Sequence, residues 1–193
     1  DGDGRLDRAY VADIGGGLWR FDFSDGRHAD ELAAARLLAR LGTGEQRFHA
    51  TPDVSLAALA GRSQIAIATG SGWLARPRDT TIIDRISVVF DREPAGGTRV
   101  LTEADLFDAT DGVAAMPASS PGWFRRLDHR GPGEKVIGAP LTFDHALRFQ
   151  TYQPLAVDGG APCGPPRGLR RLHALDLRTG LRHATSVEFE DDD

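Results

Sequence analysis

At 193 residues the chain is long enough for one good core, or for a piece of a larger domain. Hydrophobic residues make up 40% and charged residues 26%, so it is globular rather than disordered, and a formal net charge of -5 with no basic stripe excludes a general nucleic-acid binder. No apolar run reaches the roughly 18 residues that a membrane-spanning helix requires, so membrane insertion is not expected.

In chain order, the first stretch is "DGDGRLDRAYVADIGGGLWRFDFSDG", in which Asp1, Asp3 and Asp7 crowd together ahead of an apolar segment. Like charges that close repel unless a positive group sits among them. Behind them, "RAYVAD" and "LWRFDF" flank "IGGG", which predicts a β-hairpin with a glycine turn. "ADELAAARLLARLG" has helical character, with Asp30 and Glu31 in a first turn and Gly42 after the last, although "RLLARL" pairs equally well as a strand. "QIAIATG" and "RISVVFD" follow as strands, rich in β-branched residues and bounded by turn residues. The Pro/Gly/Ser-rich stretch from Asp111 to Glu134 predicts a long loop containing Trp123. Strands are then expected at "EKVIGAPLTF", "ALRFQTYQP" and "RRLHALDL". A second loop, Gly159 to Gly168, holds the single cysteine, Cys163, which cannot form an internal disulfide. The terminal "EFEDDD" reads as a solvated acidic end.

A repeat links the two ends of the chain. "LWRFDFSDG" and "LHALDLRTG" align Leu18, Phe21, Asp22, Phe23 and Gly26 with Leu172, Leu175, Asp176, Leu177 and Gly180. The pattern is that of a strand ending in a turn: alternate apolar positions face a core, Asp bonds turn amides, and Gly takes the positive φ. Repeated four-stranded units of this kind build β-propellers.

The aspartates fit a calcium loop. A hard cation wants about 6–8 oxygens, supplied in such loops at positions 1, 3, 5, 7 and 9, with glycine at 6. Asp3-Gly4 at positions 5 and 6 puts Asp1 at 3, the Arg5 carbonyl at 7 and Asp7 at 9, with position 1 upstream of the chain. Position 12 is Tyr10, where a helix-flanked EF-hand needs glutamate, so the loop leads into a strand. A polar Asp-Gly turn accounts for the same residues without metal.

With "IAIATGSGWLARPRDTTIIDRISVVFD", "LTEADLFD", "GWFRRL", "GEKVIGAPLTF" and "CGPPRGLRRLHALDLRTG" following in order, residues 1 to 182 resemble the C-terminal propeller domain of PilY-type proteins, the type IV pilus biogenesis factors and tip adhesins. The resemblance implies an all-β chain: residues 1–193 as the C-terminal portion of a modified β-propeller with quinoprotein-like blades and long connecting loops, truncated on its N-terminal side. It implies Ca²⁺ as cofactor, with Asp1, Asp3, Arg5 (main-chain carbonyl) and Asp7 as ligands. It further implies a place at the pilus tip on the cell surface, reached by export through the periplasm and outer membrane. The expected roles are pilus extension and retraction, twitching motility and adhesion, and the expected partners are minor pilin subunits and host or abiotic surfaces.

For catalysis the sequence offers little. His28, His49, His129, His145, His173 and His183 are scattered, with no HExxH motif. "ATGSGW" lacks the frame of a nucleophile elbow, so Ser71 reads as a turn residue. Cys163 has no local signature of a nucleophile. Trp19, Trp73 and Trp123 read as packing residues. The expectation is therefore no enzyme; the alternatives are a quinone-cofactor propeller dehydrogenase and a carbohydrate-binding propeller, which would place aromatics beside Asp or Asn in a pocket.

Overall fold

A computed structural model describes residues 6–23, 33–92, 99–155 and 168–183, and the backbone of 190–191. Among these the chain is all-β, with no α-helix and a single 3₁₀ turn at Glu103–Asp105. The strands are β1 (Arg8–Ala12), β2 (Gly17–Asp22), β3 (Ala34–Arg40), β4 (Asp53–Leu59), β5 (Arg62–Gly70), β6 (Arg85–Asp91), β7 (Leu101–Thr102), β8 (Phe107–Asp108), β9 (Gly122–Arg126), β10 (Lys135–Val136), β11 (Leu141–Phe143), β12 (Ala146–Pro154), β13 (Gly168–Asp176) and β14 (Glu190–Asp191). They form three open sheets.

The first sheet runs β1-β2-β3, antiparallel, with β7 added in parallel against β3. The middle sheet is an antiparallel meander β4-β5-β6-β9, with β8 parallel to β9 at its far edge. In the third sheet β10 and β11 share one edge of β12, and β13 and β14 continue antiparallel.

The period-2 alternation of a strand decides how the sheets stack. On one face of the middle sheet Ala66, Ala68, Ile86, Val88, Phe90 and Trp123 pack with Leu147, Phe149, Leu175 and Leu177 of the third sheet and its following turn. On the opposite face Ile67, Val89 and Phe124 pack with Tyr10, Leu18 and Leu38 of the first sheet. The middle sheet is therefore covered on both sides, which is why all seven residues of β6 are buried and why "RISVVFD" is nearly continuous in apolar and small residues. Lining one core with alanine lets the sheets approach closely, and Leu147 and Trp123 fill the remaining volume.

The structure decides one open alternative and corrects two expectations. Residues 34–40, weighed as helix or strand, are β3: Trp19 and Leu37 stand side by side in its ladder with β2, and a register shift occurs between Leu18 and Trp19. Their would-be helical cap at Asp30 and Glu31 lies outside the described residues. The predicted loop from Asp111 to Glu134 contains β9, and Trp123 is one of its core residues, fully buried with Nε1 donating to the Leu177 carbonyl at 2.9 Å. "EKVIGAPLTF" is two short strands rather than one. At the acidic end the backbone of Glu190 and Asp191 pairs with Arg171 and Arg170.

Of the strands not expected from the sequence the longest is β4, since "DVSLAAL" is rich in alanine and poor in β-branched residues. It is held by the two-residue turn at Ala60 and Gly61, both at positive φ (52° and 74°), the mirror-image geometry that matches strand twist.

Candidate functional site

Of the predicted calcium ligands, Asp1, Asp3 and Arg5 lie outside the described residues. Asp7 lies at the foot of the first hairpin: its carbonyl accepts the Phe23 amide at 2.8 Å, one step beyond the Arg8–Asp22 pair that begins the ladder. Asp7 is thus tied to the sheet by a backbone hydrogen bond. Among the described residues no group of three or more His, Cys, Asp or Glu is placed to hold a metal ion.

The hairpin that would follow the loop is built as the sequence predicts, with Val11 opposite Trp19 and Ala12 opposite Leu18. Leu18 is in the core, while Phe21 and Phe23 are half-buried. Asp13 organises the turn. Its Oδ1 accepts the amides of Gly15 and Gly17 at 2.8 and 2.9 Å, and its Oδ2 accepts Trp19 Nε1 at 2.7 Å. Burial raises the Asp13 carboxyl, but the bonds from Trp19, Gly17 and Gly15 and the charge of Arg40 outweigh it and hold the group below the ordinary aspartate value. A side chain at Gly17 would collide with that carboxylate, which is the reason for glycine there.

Behind the hairpin, charge is carried inward through a relay of arginine and aspartate. Arg8 Nε donates to Asp22 at 3.2 Å, and Arg20 Nε donates to both Asp22 oxygens at 2.8 Å. Arg20 Nη1 then donates to Asp91 on the middle sheet at 2.8 Å, and Tyr10 Oη donates to the same oxygen at 2.8 Å. Burial works against the Arg20 cation, yet its two aspartate partners raise its pKa further. Burial first, and then the bond to Asp91, push the Tyr10 hydroxyl far above the ordinary tyrosine value. The relay joins the strand that leaves the predicted loop to the most buried strand of the fold.

The sequence singled out Asp22 and Asp176 but not Asp91, although a signal was present. β2, β6 and β13 each end in an apolar residue followed by aspartate: Phe21-Asp22, Phe90-Asp91 and Leu175-Asp176. Only Asp176 makes the predicted turn bonds among the described residues, accepting the Arg178 and Thr179 amides at 3.0 Å beside Gly180 at φ 73°. Asp22 and Asp91 take arginines instead. The turn after Asp22, through Gly26, lies outside the described residues.

The residues considered for catalysis are dispersed. Ser71 lies just past β5 and is buried, its Oγ donating to Asp84 at 2.7 Å and accepting the Arg85 amide at 3.0 Å. Burial raises the Asp84 carboxyl above its ordinary value despite that bond and the nearby Lys135 and Arg85. His28 and Cys163 lie outside the described residues. His173 is gathered with Glu134 and Thr151, a cluster that the sequence could not reveal: Glu134 Oε1 accepts Thr151 Oγ1 at 2.6 Å and His173 Nε2 at 3.0 Å. Thr151 Oγ1 also lies 2.9 Å from the same Nε2. A nucleophile–base–orienter relay uses both ring nitrogens, whereas here both partners meet one. Trp73 is half-buried, with the Arg76 guanidinium 4.3 Å and that of Arg47 5.5 Å from its ring centroid.

No protein-family model, no curated protein and no solved structure matches this chain.

Proposed function

We propose that the three sheets are successive blades of a β-propeller belonging to a PilY-type pilus protein, a calcium-binding, non-catalytic tip and assembly factor at the cell surface. The observation that carries this reading is the common place of the Asp-ended strand. Along the antiparallel order that strand is third in the middle sheet (β4-β5-β6-β9) and in the third sheet (β10-β12-β13-β14), and second in the first sheet (β1-β2-β3), where β1 is the edge among the described residues. Consecutive meanders that bury their faces only against their neighbours are how a propeller is built. An adhesive or scaffolding role agrees with an all-β body that carries long connections between strands. Its partners would be minor pilin subunits and surface ligands.

The calcium loop would sit on the open side of the first blade, with Asp1, Asp3, Asp7 and the Arg5 carbonyl supplying oxygens. The Asp22–Arg20–Asp91 relay gives that loop a mechanical connection to the middle sheet. Removing the ion would leave carboxylates facing one another at the foot of β1 and loosen the hairpin that carries Trp19. Such a local change is how an ion biases an assembly between two states.

The test is calorimetry and thermal melting, with and without Ca²⁺, of a chain extended upstream by its natural residues, beside its Asp7→Ala variant. Extracellular modules bind Ca²⁺ with dissociation constants of ~10⁻⁴–10⁻³ M. Tenfold saturation then adds about 1.4 kcal/mol, a rise of roughly 3–6 °C in melting temperature that Asp7→Ala should abolish. Identical calcium-independent melting and no heat of binding would mean an Asp-Gly turn and no calcium function.

A further inference from the structure

A cleft of about 250 Å³ opens where the middle and third sheets meet. Its floor is apolar, formed by Leu127, Phe149 and Leu175. Its walls are cationic: Arg125, Arg130 and Arg182 line it together with the imidazoles of His129 and His173, against one carboxylate, the exposed Asp111. These residues come from the segment before β9, from β9 and the turn after it, from β12 and β13, and from the segment bridged back to Leu175.

The positive excess has a local consequence. Burial is the first cause that lowers the His129 pKa, and the charges of Arg125 and Arg130 lower it further. His129 Nε2 accepts from Arg130 Nε at 3.3 Å, which requires the neutral ring. Arg125, Arg130 and Arg182 all take part in other contacts. The site therefore depends on the summed field of the walls, not on spare donors.

The cleft is also rigidly backed. Gln153 Nε2 donates to the Arg130 carbonyl at 3.1 Å while its Oε1 accepts buried Arg171 Nη1 at 2.8 Å. His173 is stacked on Phe149, centroids 4.7 Å apart and planes within 6°, and its Nε2 is anchored on fully buried Glu134. With Nε2 donating inward, the other nitrogen of the ring is a proton acceptor when neutral and a donor when charged.

We propose that this cleft binds a small carboxylated ligand of one sugar ring, a uronic-acid type of monosaccharide or chain end. The summed positive field of the arginines favours the carboxylate. The apolar floor takes the ring face, and Asp111 on the rim accepts from hydroxyls and disfavours a second negative charge. A volume below the roughly 300 Å³ at which drug-sized pockets begin restricts the ligand to about one ring. The cleft would bind its ligand whether or not the chain serves a pilus, so the two readings fail separately.

The experiment is NMR titration of this chain with glucuronate, glucose and inorganic phosphate as probes, repeated on Arg125→Gln and Arg182→Gln. Glucuronate should bind at least about tenfold more tightly than glucose, and each variant should weaken it by about ten- to a hundredfold with amide shifts confined to the cleft. If a variant fails to fold, the comparison of probes on the unmodified chain still decides. Glucose binding as tightly as glucuronate, phosphate displacing it at equal concentration, or no shift at ~10 mM glucuronate would each overturn the assignment.

Discussion

Arg20 of the first sheet and Asp91 of the middle sheet form an ion pair at 2.8 Å with side chains only 2% and 1% exposed, across 71 residues of sequence. A pair so buried contributes little when intact, because desolvation offsets the Coulomb gain, but breaking it strands a charge. Asp91→Ala should cost about 3–5 kcal/mol. Tyr10→Phe, which removes one hydrogen bond to the same carboxylate, should cost about 1.5–3 kcal/mol. In a double-mutant cycle read by urea denaturation, Asp91→Ala should add little once Arg20 has been replaced by methionine. Additive losses would mean that the pair is not the link between the sheets.

At the first turn, Asp13→Ala removes three hydrogen bonds from a partly solvated carboxylate, and a loss of about 1–2 kcal/mol is expected. Asp13→Asn keeps an acceptor and should cost less. Because Oδ2 holds the Trp19 indole, tryptophan emission should shift in Asp13→Ala before global unfolding. Unchanged emission together with unchanged stability would remove Asp13 from the account of the turn.

The turn between β4 and β5 gives two predictions of opposite sign. Ala60 holds φ at 52°, in a region that costs a residue with a Cβ about 1–2 kcal/mol, part of which glycine returns to unfolded-chain entropy. Ala60→Gly should therefore stabilise by roughly 0.5–1 kcal/mol, whereas Gly61→Ala, at φ 74°, should destabilise by about 1 kcal/mol. Thermal melts of the two variants moving in the same direction would refute this geometry.

Acid should weaken the third sheet through Glu134. Burial raises its carboxyl, but the bonds from His173 and Thr151 and the charges of His173 and Arg171 outweigh that and lower it from 4.5. A depressed carboxylate contributes stability that is complete above its unfolded value of 4.5 and is lost as pH falls through the lower folded value. Glu134→Gln should flatten that acid limb, measured as denaturation midpoint against pH, and lower stability at neutral pH by about 3 kcal/mol. An unchanged limb would assign the acid sensitivity to other groups.

How much the sequence disclosed follows from the range of the interactions concerned. The first hairpin was legible because Asp13, Gly15, Gly16 and Gly17 act within a few residues of one another. β12 was legible end to end because alternate residues of "ALRFQTYQP" face opposite sides. β9 was not: "GWFRR" is short and lies in a stretch of turn formers, and Trp123 is fixed by Val88 on β6 and by Leu177, 54 residues on. β3 resisted for another reason, since alanine, leucine and arginine favour helix and the ladder with β2 overrides them. The relay through Asp91 and the cluster at Glu134 were invisible because their partners are distant in sequence, brought together by sheet stacking for Asp91 and by strand pairing within the third sheet for Glu134. Asp7 alone of the proposed calcium ligands has a described position, at the root of β1.

The central claim is that these sheets are blades with a calcium loop at the first of them. It is tested most directly by the crystal structure, in millimolar Ca²⁺, of the chain extended upstream by its natural residues. The account predicts a new strand antiparallel to β1, which would make β2 third in its antiparallel order, like β6 and β13 in theirs. It also predicts a calcium ion bound by Asp1, Asp3, Asp7 and the Arg5 carbonyl. A β1 edge left unpaired by the added residues, with no ion among those oxygens, would contradict it.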